Sequence, residues 1–87
     1  MYNYVMLDNS NNYAWVRNCP VCSQGRVIIA KETATEKFYL VCEECESEWQ
    51  SPEEVATSPA SRDVFGASTY LTREELGDHP WKEFLHN

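Results

Sequence analysis

Cys19-Pro20-Val21-Cys22 and Cys42-Glu43-Glu44-Cys45 are the two stretches that decide the fold. They hold all four cysteines of the chain, and nineteen residues separate them. A Cys-x-x-Cys turn sets two thiolates one sulfur–sulfur edge apart, so two such turns can close a tetrahedron around one ion. The gap falls within the range of about 15–20 residues typical of four-cysteine sites. A thioredoxin-type redox motif uses one such pair rather than two. A disulfide pair suits a secreted chain, and nothing in the sequence points to secretion. Cys19, Cys22, Cys42 and Cys45 are therefore read as the ligands of one metal ion.

Working outward, Gly25 punctuates the exit from the first pair. Arg26-Val27-Ile28-Ile29-Ala30-Lys31 is short and β-branched, which favours a strand. Thr33 to Glu36 makes a polar connection, and Lys37-Phe38-Tyr39-Leu40-Val41 returns as a second strand running into Cys42. The spacing thus predicts both knuckles at one end of a single hairpin. Upstream, Tyr2 to Leu7 reads as a strand, Asp8 to Asn12 as turn chemistry and Tyr13 to Val16 as a returning strand.

Downstream, Ser51-Pro52-Glu53-Glu54 carries a capping box with proline at the first helical position, and Pro59 keeps that helix short. Residues 57–69 read as loop, with Val64-Phe65 as a docking point. Thr72-Arg73-Glu74-Glu75 is a second capping box, with Leu71 and Leu76 as its hydrophobic staple. Asp78 is expected to cap a last helix carrying Trp81, Phe84 and Leu85 on one face. The fold class expected is one small α+β domain: an N-terminal hairpin (1–18), a knuckle hairpin (19–50) and two or three short helices (51–87).

Paired knuckles on a hairpin resemble the zinc-ribbon family over residues 19–45. The resemblance implies structural Zn²⁺ held by Cys19, Cys22, Cys42 and Cys45. Zinc ribbons often place glycine directly after the second cysteine of a knuckle. Here Ser23 and Glu46 stand at those positions, and Gly25 comes two residues late. Rubredoxins hold iron on similar knuckles, and the missing glycines weaken that alternative. Zinc is expected over iron, although sulfur-only tetrahedral coordination admits both.

The 87 residues bury a limited share of their apolar surface, so a metal staple is physically useful. With 43% hydrophobic and 13% aromatic residues, the chain is too rich in core formers for a disordered tail. No apolar run approaches a bilayer span and no secretory leader opens the chain, so a cytoplasmic protein without membrane contact is expected. Seven basic residues face fourteen acidic ones, for a formal charge of −7. No Lys or Arg falls between Phe38 and Ser61, whereas Glu43, Glu44, Glu46, Glu48, Glu53 and Glu54 all do. Several flank a thiolate centre that is itself anionic. Such a field repels phosphate backbones and attracts basic partners.

The function classes narrow accordingly. Four thiolates leave no coordination position for substrate, which removes Lewis-acid catalysis. Three isolated glycines cannot cradle a phosphate, and neither His79 nor His86 has a nucleophile beside it in a recognisable pattern. The expected protein is not an enzyme. Glu43, Glu44, Glu46, Glu48 and Trp49 are the candidate partner-binding residues, with Tyr39 and Trp49 as aromatic anchors beside the charge. The same acids also fit a solvated surface, and the same rings fit a core role. In size, charge and want of a catalytic constellation, the chain resembles the immunity proteins that accompany bacterial nuclease toxins. That likeness implies neutralisation of a basic toxin domain by direct binding. The alternative is a ribbon acting in transcription or translation, with Arg17, Arg26, Lys31 and Lys37 as a small nucleic-acid patch.

Overall fold

The computed structural model describes residues 12–86, so the expected strand at Tyr2–Leu7 lies outside the described residues. The centre is a fully antiparallel sheet of five strands: β1 (Trp15–Asn18), β2 (Arg26–Glu32), β3 (Phe38–Cys42), β4 (Glu48–Trp49) and β5 (Ser68–Tyr70). The first four lie side by side in chain order, and β5 pairs with the far half of β2. Two short helices, α1 (Pro52–Thr57) and α2 (Arg73–Leu76), and a 3₁₀ segment (Pro80–Phe84) complete the architecture.

Strand alternation sorts the side chains onto two faces. Val27 and Ile29 of β2, Leu40 and Cys42 of β3 and Trp49 of β4 share one face, which packs with Val55 of α1 and with Leu71 and Leu76. Ala30, Tyr39 and Val41 form a second buried cluster, covered by Phe65. Both faces are therefore covered, which is why Val27 to Ala30 are all fully buried. The ring of Phe65 stacks on Tyr39 with centroids 4.0 Å apart. Two strand carboxylates pin the covering loop: Val64 N donates to Glu48 Oε1 at 3.0 Å and Gly66 N to Glu32 Oε2 at 2.6 Å.

The central hairpin lies where the sequence puts it. Four details differ. The capping box at Ser51 does not form, because the Ser51 side chain makes no cap bond and Glu54 instead accepts from Gln50 N at 3.4 Å. Within the expected loop, Ser68–Tyr70 is a strand, held by pairing with Ala30 to Glu32. Phe65 docks as expected, whereas Val64 stays 58% exposed. The last helical segment is 3₁₀ and its cap is His79, whose Nδ1 accepts from Trp81 N at 3.1 Å. Pro80 favours an extended conformation at the residue before it, so His79 takes the cap and Asp78 pairs with Lys82 at 3.3 Å. The box at Thr72 and the staple of Leu71 and Leu76 are both present.

Candidate metal centre

The first knuckle joins β1 to β2 and the second joins β3 to β4, so the hairpin brings both to one end of the sheet. Each is held by the same two kinds of backbone bond. Ser23 N donates to Cys19 O and Glu46 N to Cys42 O, at 3.0 and 3.1 Å. Across the base, Cys19 N donates to Gly25 O and Cys42 N to Ser47 O, at 2.8 and 2.9 Å. Ser23 and Glu46 have φ of 59° and 64°. These are the positions where ribbons favour glycine, so the chain keeps the left-handed turn while giving up the residue that adopts it most easily.

The four sulfurs lie within 4.8 Å of one another. Cys19 Sγ is 3.7 Å from Cys45 Sγ, and Cys22 Sγ is 3.6 Å from Cys42 Sγ. A tetrahedron with metal–sulfur bonds of about 2.3 Å has edges of about 3.8 Å. A disulfide needs about 2.05 Å, and all four cysteines are free. The cluster therefore has the size and donor set to hold one metal ion. Backbone amides point at the sulfurs as a thiolate cage requires: Val21 N lies 3.3 Å from Cys19 Sγ, Gln24 N 3.4 Å from Cys22 Sγ and Glu44 N 3.3 Å from Cys42 Sγ.

The thiols are unequal. Burial pushes Cys42 up to about 12. Burial also works against ionisation of Cys45, but the Ser47 hydroxyl and amide and the neighbouring sulfurs outweigh it and bring the thiol down to about 6. The Gln24 and Gly25 amides lower Cys22. A bound cation overrides such differences, because a coordinating thiol is deprotonated outright.

Two residues that motif spacing does not mark support the cage. Gly25 is buried against the second knuckle, and a Cβ there would lie 2.9 Å from Cys42 Sγ and 2.7 Å from Glu44 Cγ. Its role is close approach rather than a special φ. Arg26 grips Glu43 with Nε to Oε2 at 2.7 Å and Nη2 to Oε1 at 2.9 Å, tying β2 to the second knuckle. That guanidinium also lies 5.9 and 5.8 Å from the ring centroids of Tyr13 and Trp15. Hydrogen bonding to Arg26 holds the Glu43 carboxyl below the usual carboxylate range. A cationic residue opposite an acid in the knuckle was the available signal.

The candidate partner-binding residues separate. Glu44 and Glu46 are exposed beside the cysteines, and Glu43 is half-buried and committed to Arg26. Glu48 is 7% exposed and Trp49 2% exposed, so neither lies on the outer surface. Trp49 is a core ring whose Nε1 donates to Ser58 O at 3.3 Å, and Tyr39, 4% exposed, is core as well. The expectation of Trp49 and Tyr39 as surface anchors is corrected: covering the sheet takes these rings first. Two of the four basic residues do not share a face. Arg26 and Lys31, five positions apart on one strand, point to opposite faces, and Arg26 is occupied by Glu43.

No protein-family model matches the chain, and neither a curated protein nor a solved structure matches it. The cluster geometry is compatible with a zinc ribbon, and the fold is a small α+β domain carrying a four-cysteine cluster that could hold a metal ion. Among the described residues, no helix is long and apolar enough to cross a membrane.

Proposed function

We propose that the protein is a non-enzymatic, zinc-stapled interaction module that presents an acidic face to a basic protein. Its most specific form is an immunity protein that neutralises a basic, nuclease-type toxin by direct binding in the cytoplasm. The observation that carries this reading is the sulfur-only cluster edged by the exposed carboxylates of Glu44 and Glu46. Four thiolates saturate a tetrahedral ion, so the metal supplies folding free energy rather than a reactive position. The ion favoured is Zn²⁺, with iron in the same cage as the alternative. Once bound, its thiolate complex adds about two negative charges to a chain of formal charge −7. Steering of a basic partner follows from that field.

The test is coexpression with the basic C-terminal domain of a neighbouring toxin-type reading frame. The reading predicts rescue of growth and copurification of a stoichiometric complex. Failure to protect against or bind any such domain removes the immunity function. Binding to nucleic acid at low salt that weakens steeply as salt rises would replace the reading with the nucleic-acid one.

A further inference from the structure

Ser47 closes the base of the second knuckle, where its carbonyl accepts from Cys42 N at 2.9 Å and its side chain is fully buried. The hydroxyl oxygen lies 3.2 Å from Cys45 Sγ. Among the described residues, that sulfur is the one hydrogen-bond partner the hydroxyl has. The other three sulfurs are served by the main chain, through Val21 N, Gln24 N and Glu44 N. Cys45 thus stands apart in having a side-chain donor beside it. The first knuckle supplies the contrast. Gln24 follows Cys22 by two residues as Ser47 follows Cys45, yet Gln24 is exposed and serves its sulfur through its amide alone.

A buried hydroxyl needs an acceptor for its proton, and this one is shut away from water. A neutral thiol is a weak acceptor, so the contact is poor unless the sulfur carries charge. A sulfur that holds a metal ion has no proton, so across this contact the hydroxyl can only donate, and the bond becomes charge-assisted. We infer that Ser47 is a positioning residue of the metal centre: its O–H donates to the Cys45 thiolate, draws electron density off that sulfur and fixes its direction toward the ion. The inference rests on the reading of the four cysteines as a metal cage and is independent of what the acidic face binds. Cys45 is the sulfur where such support counts, because it is half-buried whereas Cys19 and Cys42 are buried. Outer hydrogen bonds of this kind orient a ligand and tune the metal it holds. Cysteine spacing does not mark Ser47, since the knuckle motif ends at Cys45.

The test loads the full chain with Co²⁺ in place of zinc, because the sulfur-to-cobalt charge-transfer band reads the electron density on the thiolates. Ser47→Ala removes one oxygen atom and keeps the carbonyl that Cys42 N binds. The expected result is a shift of that band to lower energy, with a loss of zinc affinity of about tenfold in competition against a chelator. Gln24→Ala is the control and is expected to leave both unchanged, since only its main chain meets a sulfur. Wild-type zinc affinity in Ser47→Ala, or an equal band shift in Gln24→Ala, would overturn the assignment. So would weaker zinc binding with the band unmoved, which is what a purely space-filling serine gives. These outcomes remove the role of Ser47 and leave the cage standing. A wild-type chain that binds no cobalt removes the metal reading and this inference with it.

Discussion

Gly25→Ala is the substitution that most directly couples packing to the metal cluster. The added methyl group would lie 2.9 Å from Cys42 Sγ and 2.7 and 2.9 Å from Glu44 Cγ and Cβ. Ordinary contact begins near 3.4 Å, so the sulfur or the strand behind it must yield by about half an ångström. Metal–sulfur distances tolerate only about 0.2 Å. Cys42 cannot swing aside freely, because it is fully buried at the end of β3 and its amide is bonded to Ser47 O. Overpacking of this kind costs about 1–3 kcal/mol by itself. A ten- to hundredfold loss of zinc affinity, typical when the surroundings of a metal ligand are disturbed, removes about 1.4–2.7 kcal/mol more under fixed free zinc. The assay is competition against a chromophoric chelator, paired with thermal unfolding in a zinc buffer. Gly66→Ala is the control, since the Cβ there meets only the end of the Glu32 side chain, at 3.3 Å. Wild-type zinc affinity and an unchanged melting temperature in Gly25→Ala would refute the reasoning.

Three further outcomes follow from the same geometry. Ser23→Gly and Glu46→Gly relieve φ of 59° and 64°. Each is expected to raise the stability of the zinc-loaded chain by about 0.5–1 kcal/mol, the left-handed cost less the added freedom of the unfolded chain. A fall in denaturant midpoint for both would contradict this. Glu43→Gln breaks the two-pronged pair with Arg26, whose side chains are 21% and 24% exposed, and is expected to cost about 1–2 kcal/mol at neutral pH. Because Arg26 lowers the Glu43 carboxyl, that contribution is full above the unfolded value of about 4.3 and is lost as pH falls through the lower folded value. Stability curves of the two proteins should therefore run parallel from pH 8 to pH 5 and converge only in stronger acid. Trp49→Ala is expected to cost about 3–5 kcal/mol by chemical denaturation, as a core ring would; a loss under 1 kcal/mol would mean the ring is not core.

The four-cysteine cluster and the hairpin that builds it were legible because both rest on local rules. Two Cys-x-x-Cys turns and a β-branched run need no knowledge of distant contacts. The Thr72 box and its leucine staple were legible for the same reason. What escaped depends on partners far away in the chain. Ser68-Thr69-Tyr70 has the composition of a loop and becomes a strand because the free edge of β2 is there to pair with it. Glu48 stands in an acidic run that looks solvated, yet alternation places it beneath the covering loop, where Val64 and Ser61 bind it. Trp49 was open to either role, and the demand for a large ring against Val55 and Leu40 decided it. Ser51 shows the reverse case: a sound local motif left unused, since Glu54 bonds Gln50 instead.

Native mass spectrometry of the reduced, freshly purified chain, combined with elemental quantification, tests the central claim most directly. One zinc per chain is predicted, with Cys19, Cys22, Cys42 and Cys45 protected from alkylation until a strong chelator removes the ion and the fold together. Metal-free material that retains its circular dichroism spectrum and cooperative unfolding, with four freely reactive thiols, would contradict it.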